Sequence, residues 1–251
     1  MIDLHSHVLP GVDDGSRSVE QSVRVLTEFV ARGITDVACT PHLLASKVAP
    51  GWPDAYEAAW ASLTAVVPAG MTLHRGAEVM LDRPMPAAVA DRKVTLGGSR
   101  YLLVEFTRMV PAEIVSHALA DVNRTGLVPV LAHPERYSSC TVETVREWRD
   151  AGALIQVDAT TMTLPRRRGD RARDLVLAGL ADILAADNHG DGRNLATARE
   201  WLVANNGAEQ AELLLETNPR AILDDLTVFE VEPLRIRPSL WRSMRRMLEF
   251  E

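Results

Sequence analysis

Short apolar, β-prone runs alternate along the chain with longer stretches in which apolar residues recur every three or four positions. The first pattern predicts a β-strand, and the second predicts an amphipathic helix. The strand-like runs cover residues 2–7, 36–40, 72–79, 101–106, 128–133, 154–158 and 182–187. We therefore predict seven strands with helical segments between them and after the last one.

The ends of the helices are also marked in the sequence. In the first amphipathic stretch Ser18 fits an N-cap, and Gly33 fits a C-terminal stop. Gly126, Gly152 and Gly179 end later stretches in the same way. A repeated strand, helix and strand indicates a parallel sheet with right-handed crossovers, which is either an open doubly wound sheet or a barrel.

The positions of the ionisable residues favour the barrel. Six separate apolar runs are each followed by one such residue: His7, His42, Glu78, Glu105, His133 and Asp187. In a parallel barrel all the strands end at one mouth, where active sites of this architecture are built. We predict an α/β fold, a distorted seven-stranded (β/α) TIM-like barrel over residues 1–223. Residues 224–251 are predicted to be a C-terminal tail that packs on the barrel or extends from it.

Composition and charge narrow the class of protein. The chain has 251 residues, 47% hydrophobic and 24% charged, which is typical of a globular protein. Its 27 Lys and Arg against 34 Asp and Glu leave a net charge of −7, so we expect no nucleic-acid partner and no membrane insertion. Two cysteines exclude a disulfide framework, and no signal-like apolar stretch opens the chain, so we expect a cytoplasmic protein. The sequence does not indicate an oligomeric state.

The residues at the strand ends have the chemistry of metal ligands. His5 and His7 are two positions apart in a predicted strand, so both imidazoles lie on one face and can reach one ion. A cluster of His and carboxylates at one mouth would be costly unless cations held it together. Mixed imidazole and carboxylate ligands without thiolate suit manganese, iron, cobalt or zinc. Ions bridged by carboxylates lie about 3.5–4 Å apart and can clamp a phosphoryl group, which indicates hydrolysis.

Several short motifs make the sequence similar to a known family. They are DLHSHVLPGVDDGS, TPH, GAEV, VEF, LAHPERY, ADNH and TNPRAIL, and they extend from residue 1 to about residue 223. In combination they resemble the PHP (polymerase and histidinol phosphatase) superfamily. Within it they are similar to the bacterial manganese-dependent tyrosine-protein phosphatases encoded with capsule and exopolysaccharide genes. The resemblance implies a distorted seven-stranded barrel with a trinuclear metal centre.

Carried over position by position, the resemblance implies a ligand set, a cofactor and two arginines. The implied metal ligands are His5, His7, Asp14, His42, Glu78, Glu105, His133, Asp187 and His189. The implied cofactor is Mn²⁺, as two or three divalent ions, with iron, cobalt or zinc as alternatives. Arg136 in the HPERY motif would bind phosphate and assist catalysis. The family has a second arginine a few residues after its last histidine ligand. Arg193 is displaced from that place by about one sequence position and would act in the same way.

The resemblance also implies a function, and two other functions stay open. The implied reaction is hydrolysis of protein phosphotyrosine by a metal-bound hydroxide, with the tail of a bacterial tyrosine kinase of polysaccharide export as the substrate. A basic run at residues 166–173 is either a solvated loop or a grip for an acidic phosphopeptide, with Arg167 as the substrate-binding candidate. The alternatives are a PHP phosphatase for a small metabolite, such as histidinol phosphate or a nucleotide, and a metal-bound regulatory module without turnover.

Residues 140–146 match the C-x5-R pattern of thiol-dependent tyrosine phosphatases, but their side chains argue against that chemistry. Such a loop wraps backbone N–H groups around a phosphate and needs glycine and other small residues. The intervening residues, TVETV, supply β-branched bulk and an acid instead. We therefore predict that Cys140 is not a nucleophile.

Overall fold

A computed structural model describes residues 1–48, 52–84 and 94–235 of the chain. The strands in these ranges are β1 (Ile2–Ser6), β2 (Asp36–Cys39), β3 (His42–Leu44), β4 (Thr72–Arg75), β5 (Glu78–Met80), β6 (Tyr101–Glu105), β7 (Val128–Ala132), β8 (Leu154–Asp158) and β9 (Ile183–Ala185). The α-helices are α1 (Val19–Ala31), α2 (Asp54–Thr64), α3 (Ala112–Arg124), α4 (Val142–Asp150), α5 (Ala159–Met162), α6 (Arg167–Leu177), α7 (Ala196–Ala204), α8 (Ala208–Glu212) and α9 (Asn218–Leu223). Strands and helices therefore alternate along the chain.

The paired strands run parallel and form two sheets. The strand order is β1-β2-β4 in the first sheet and β3-β5-β6-β7-β8-β9 in the second. The chain after β9 returns to β1, because the Asp187 N–H donates to His5 O (2.9 Å) and the His7 N–H donates to Asn188 O (2.8 Å). A mixed α/β fold with parallel strands is confirmed, and each predicted run contains one of the strands. The closed seven-stranded barrel stays a prediction.

Two breaks in the sheets add strands that the sequence pattern does not predict. The strand β3 lies beyond the predicted run at residues 36–40, and β4 and β5 divide the predicted run at residues 72–79. Pro41, which has no N–H to donate, stands between β2 and β3. Gly76 and Ala77 stand between β4 and β5. The two breaks are neighbours, since β2 pairs with β4 and β3 pairs with β5. A Cβ atom on Gly76 would lie 3.0 Å from Leu96 Cδ2 and 3.1 Å from Thr40 Cγ2, so a larger residue there would have to push these two side chains away by a few tenths of an ångström.

Alternate residues of the strands pack on opposite sides. In β6, Leu102 and Val104 belong to the larger apolar cluster, which includes the buried faces of the helices. Tyr101 and Leu103 belong to a smaller cluster that is drawn mainly from the strands. Other members of the smaller cluster are Ile2, Leu4, Ala38, Val130, Ala132 and Ile183. The strands are therefore buried on both faces, which explains why they read as continuous apolar runs.

The first helix begins and ends where the sequence predicts. Ser18 Oγ accepts a hydrogen bond from the Gln21 N–H at 3.3 Å, and Gly33 follows the helix with φ at +77°. Across residues 1–48, 52–84 and 94–235, none of the helices combines the length and the apolar character that crossing a bilayer requires.

The described part of the predicted tail, residues 224–235, lies against the rest of the chain. The Tyr101 hydroxyl donates to Leu226 O at 2.6 Å, and the Phe229 N–H donates to Asn218 Oδ1 at 2.8 Å. A domain boundary at residue 223 stays a prediction. Residues 236–251 of the tail lie outside the described residues.

Tyr137 joins the carboxyl ends of β6 and β7. Its hydroxyl donates to Ala132 O at 2.9 Å and accepts from the Phe106 N–H at 3.2 Å. The residue is 1% exposed, so water does not substitute for either bond. The neighbours of these two bonded residues are Glu105 and His133, so the hydroxyl fixes the spacing of two candidate ligands.

Tyr137→Phe should lower the free energy of unfolding by about 1–3 kcal/mol, because it leaves a buried N–H and a buried carbonyl without their partner. Urea denaturation followed by circular dichroism measures the change. Tyr101→Phe, at the other end of β6, is the matched control, since its hydroxyl donates to the Leu226 carbonyl and accepts only a long bond of 3.5 Å from Arg100 Nη2, and we expect a smaller loss. Equal stability of Tyr137→Phe and the wild type would contradict the role of this hydroxyl.

Candidate metal centre

Imidazole and carboxylate side chains from six places in the chain meet at the carboxyl ends of the strands. Each belongs to a group of three or four whose ligand atoms all lie within 4.8 Å of one another. The members are His5, His7, Asp14, His42, Glu78, Glu105, His133, Asp187 and His189. The structure thus brings together all the positions that the resemblance implied as ligands. They meet because parallel strands all end on the same side.

His5, in β1, and His7, just after it, face two carboxylates. His5 Nε2 and His7 Nε2 are 3.2 Å apart. Glu78 Oε2 lies 3.3 Å from both of these nitrogens, and so does Asp187 Oδ1. Four potential ligand atoms therefore surround one point, as the two-residue period of a strand allows for His5 and His7.

Glu78 Oε2 and Asp187 Oδ1 show that these residues fit a cation. Both side chains are 1% exposed, and neither oxygen has a hydrogen-bond partner among the described residues. A buried carboxylate oxygen without a hydrogen bond is costly unless a positive charge lies beside it. Imidazole nitrogen and carboxylate oxygen without thiolate form a donor set that manganese, iron, cobalt and zinc accept. The site therefore fits divalent transition-metal ions.

Glu78 connects this group with two others. Its Oε1 atom lies 2.7 Å from His133 Nε2, and its Oε2 atom lies 3.0 Å from His42 Nδ1. Glu105 spans the same two rings, with Oε1 at 3.1 Å from His42 Nδ1 and Oε2 at 3.9 Å from His133 Nε2. A carboxylate shared between ligand groups has the arrangement needed to bridge two ions.

The outermost group faces solvent. Asp14 Oδ1 lies 3.4 Å from both His42 Nε2 and His189 Nε2. The Asp14 side chain is 69% exposed, whereas the Glu78 side chain is 1% exposed. The centre is therefore buried on one side and accessible on the side of Asp14, from which a substrate can reach it.

Two residues that the sequence pattern did not single out orient the histidines. Gln156 Oε1 lies 3.0 Å from His5 Nδ1, and Asp13 Oδ2 lies 2.7 Å from His7 Nδ1. When each Nδ1–H donates to its partner, each Nε2 directs a lone pair toward the centre. The sequence alone does not distinguish the role of Asp13 from that of its neighbour Asp14. Gln156 looks like any other strand residue, so no sequence pattern marks either residue as the partner of a histidine.

Charge at the centre is balanced by shifted pKa values. Burial opposes a charged His42, but the nearby carboxylates of Glu105 and Glu78, at 3.1 and 3.0 Å from its Nδ1 atom, raise the pKa of its imidazole to about 10. Burial also opposes a charged Asp187, yet the positive charge of His5 contributes most to lowering the pKa of that carboxyl below its usual range. The carboxylates therefore attract protons to the same ring nitrogens that a metal ion would use.

Arg136 and Arg193 both approach the second oxygen of Asp187. Arg136 Nη2 donates to Asp187 Oδ2, and it donates to Asp158 Oδ2 at 2.7 Å. Arg193 Nη1 lies 3.5 Å from the same Asp187 oxygen, and Arg193 Nη2 lies 2.9 Å from Asp191 Oδ2. The two arginine side chains are 24% and 27% exposed, so each is accessible in part. They supply positive charge beside the candidate ligands, where an incoming phosphate needs it.

In the basic run at residues 166–173, Arg168 is electrostatically coupled to Arg136. Burial and the positive charges of Arg108 and Arg136 lower the pKa of Arg168 below its usual range. Arg167 is an exposed residue in the first turn of α6. Substrate binding by Arg167 stays a prediction, and Arg168 follows it in the same turn.

The surroundings of Cys140 do not suit a nucleophile. Burial raises the pKa of its thiol to about 12, so the thiol is protonated at neutral pH. The residues that follow form α4, and Thr141 is its N-cap, with Oγ1 accepting from the Thr144 N–H at 3.1 Å. A helix takes the place of the phosphate-binding loop that thiol chemistry needs. This agrees with the prediction from the sequence that Cys140 is not a nucleophile.

Comparison with known proteins identifies the family to which this chain is similar. Residues 1–224 match the family described as "Capsular polysaccharide synthesis, CpsB/CapC". The chain is 29% identical over 245 residues to the tyrosine-protein phosphatase CpsB of Streptococcus pneumoniae, and this alignment covers 90% of this chain and 99% of that protein. It is 26% identical over 248 residues to the tyrosine-protein phosphatase YwqE of Bacillus subtilis, and this alignment covers 94% of this chain and 97% of that protein.

Solved structures agree at the level of the fold. A chain from crystal structures of Bacillus subtilis YwqE and Streptococcus pneumoniae CpsB, described as metal-dependent tyrosine phosphatases, has a TM-score of 0.78 at 24% identity. The match covers 95% of this chain and 100% of that chain. Organophosphorus hydrolase from Deinococcus radiodurans has a TM-score of 0.54 at 14% identity, over 88% of this chain and 91% of that chain. Since the family match extends over residues 1–224, the chain belongs to the CpsB/CapC family of capsular polysaccharide synthesis.

Proposed function

We propose that this chain is a metal-dependent protein-tyrosine phosphatase that acts on phosphotyrosine in capsular or exopolysaccharide synthesis. One observation carries the proposal: Glu78 Oε2 and Asp187 Oδ1, both buried and without a hydrogen-bond partner among the described residues, converge on the Nε2 atoms of His5 and His7. Relatives across nearly the whole chain bear the name tyrosine-protein phosphatase. A cation-binding centre and this family membership support the same reaction.

The proposed cofactor is Mn²⁺, in two or three copies, with iron, cobalt or zinc suited to the same donors. When bound, such ions supply Lewis-acid charge and a nucleophile at neutral pH for phosphoryl transfer to water. The proposed ligands are His5, His7, Asp14, His42, Glu78, Glu105, His133, Asp187 and His189.

The other residues of the site bind the substrate or orient the candidate metal ligands. Arg136 and Arg193 hold the phosphate and neutralise the charge that develops on its equatorial oxygens. Asp13 and Gln156 keep the imidazoles of His7 and His5 turned toward the centre. The basic run at residues 166–173, through Arg167 and the neighbouring Arg168, attracts acidic groups of the substrate protein.

Two further parts of the proposal are the identity of the substrate and the closure of the strands into a barrel. The substrate is the phosphorylated tail of a bacterial tyrosine kinase that controls polysaccharide export, which the enzyme meets in the cytoplasm. Residues 1–223 form one barrel of seven strands, with β2 continued by β3 and β4 continued by β5. The return of the chain from β9 to β1 supports this closure.

Removal of metal ions should abolish hydrolysis of a phosphotyrosine peptide, and added Mn²⁺ should restore it, because the proposed nucleophile depends on the ions. Cys140→Ser should keep nearly all of the activity, since the thiol is buried and protonated. Phosphate release before and after treatment with a chelator measures both effects. A Cys140→Ser protein that folds and binds metal but does not hydrolyse the peptide would overturn the proposed mechanism.

Ligand and arginine substitutions should separate into two classes. His7→Ala, Glu105→Ala and Asp187→Ala should each lower the metal content together with the rate. Arg136→Ala should keep the metal and lose about 10²–10³ in kcat, the scale for one group that stabilises transition-state charge. Arg193→Ala should follow the same pattern. Elemental analysis and steady-state kinetics of the same preparations give the comparison, and normal turnover in Arg136→Ala would remove that residue from the site.

The enzyme should cleave aryl phosphates well and alkyl phosphates poorly. A tyrosine oxygen leaves as a phenolate, whose conjugate acid has a pKa of about 10, whereas a serine alkoxide needs a strong general acid. Steady-state rates on matched phosphotyrosine and phosphoserine peptides test this preference, and histidinol phosphate is the control for a small metabolite. If histidinol phosphate gives the highest kcat/KM, a metabolite phosphatase replaces the proposed function.

A further inference from the structure

Asp158, the last residue of β8, is a buried carboxylate with four hydrogen bonds. Its Oδ1 atom accepts the N–H groups of Thr160 and Thr161, both at 2.9 Å. Its Oδ2 atom accepts the Thr161 hydroxyl at 2.8 Å and Arg136 Nη2 at 2.7 Å. The residue is 2% exposed. Its acceptor positions are thus filled by the protein.

We propose that Asp158 is a positioning residue that holds the Arg136 guanidinium in place to receive the substrate phosphate. The inference rests on the proposed function, because it assigns Arg136 to phosphate binding. Asp158 itself touches neither the phosphate nor the candidate metal ligands in this scheme and acts through Arg136.

The bonds to Thr160 and Thr161 show that the carboxylate is fixed independently of the arginine. Asp158 is the N-cap of α5, and three of its four hydrogen bonds come from the two threonines. Its own N–H donates to Glu135 Oε1 at 3.1 Å, so the residue next to Arg136 is bound to it as well. The turn that carries Arg136 is therefore attached to Asp158 at two successive residues.

The capping role does not require a charged residue at this position. Asn and Ser cap helices about as well as Asp does, because one side-chain oxygen is enough for the N–H groups. Burying a carboxylate is costly unless it is paired, and the cation that pairs with Asp158 is Arg136. The charge of Asp158 is therefore explained by Arg136 rather than by the helix.

The arginine needs a second anchor because its other partner is a candidate ligand. Arg136 Nη2 contacts Asp187 Oδ2 as well as Asp158 Oδ2. Without Asp158, the guanidinium would be held by Asp187 alone and would move with it. Within the described part of the chain the hydrogen bonds of the Arg136 side chain use Nη2, so Nη1 is left to donate to a phosphate oxygen.

The test is a double-mutant cycle with Asp158→Asn and Arg136→Ala. Asn keeps an oxygen for the cap and removes the charge. Asp158→Asn should lower kcat by about 10²-fold, the scale for displacing a positioned group by about 1 Å, and should leave the metal content unchanged. In the Arg136→Ala background the same substitution should change kcat by less than about twofold, since its effect passes through the arginine. Thr161→Val is the matched control, because it removes one bond to the same oxygen and keeps the charge, and it should cost much less.

Binding of inorganic phosphate gives a second readout that does not depend on turnover. Calorimetry should show weaker phosphate binding to Asp158→Asn than to the wild type, and the double mutant should bind phosphate as weakly as Arg136→Ala alone. If the wild type hydrolyses no phosphotyrosine peptide, the proposed function fails, but the cycle is still readable in phosphate binding.

Three outcomes would overturn the inference. Equal effects of Asp158→Asn with and without Arg136 would show that Asp158 acts independently of it. A loss in Thr161→Val as large as that in Asp158→Asn would assign the effect to the cap. If Asp158→Asn does not fold, Asp158→Ser repeats the cycle with another good cap, and failure of both to fold would make the residue structural rather than positioning.

Discussion

The buried carboxylates Glu78 and Asp187 set the constraint on which the rest of the site depends. Each places one oxygen 3.3 Å from the same two imidazole nitrogens, and neither oxygen has a hydrogen-bond partner among the described residues. Anions buried in this way need cations, either protons on the rings or metal ions. The parallel strands make such a cluster possible, because candidate ligands as far apart in sequence as His5 and His189 meet at the carboxyl ends of the strands.

The same constraint explains how phosphate binding is combined with metal binding. Asp187 divides its oxygens, with Oδ1 among the imidazoles and Oδ2 against Arg136. One carboxylate therefore connects the candidate metal centre to the cation proposed to bind phosphate. Asp158 holds that cation from the other side, at 2.7 Å. Although the whole chain carries a net charge of −7, positive side chains are concentrated where an anionic substrate would enter.

Most of the fold and the ligand cluster could be predicted from local patterns, and the exceptions have a physical cause. His5 and His7 are recognisable because a strand repeats every two residues and both follow the start of an apolar run. Gly76 interrupts a run whose apolar pattern continues across it, so the break depends on packing against another part of the chain. Gln156 and Asp158 gain their roles from His5 and Arg136, which are distant in sequence, and nothing local marks them.

The orientation of the imidazoles implies a centre that is organised for cations by the protein itself. Gln156 and Asp13 hold the Nδ1 atoms of His5 and His7, so the Nε2 atoms face the carboxylates in the arrangement that ligation needs. The raised pKa of His42 means that both of its ring nitrogens hold a proton at neutral pH. An ion that binds to one of these nitrogens must displace a proton, so metal binding competes with protonation between the same carboxylates. A divalent ion brings two positive charges for the one that it displaces, and the buried carboxylates of Glu78 and Asp187 are the anions that this gain of charge requires.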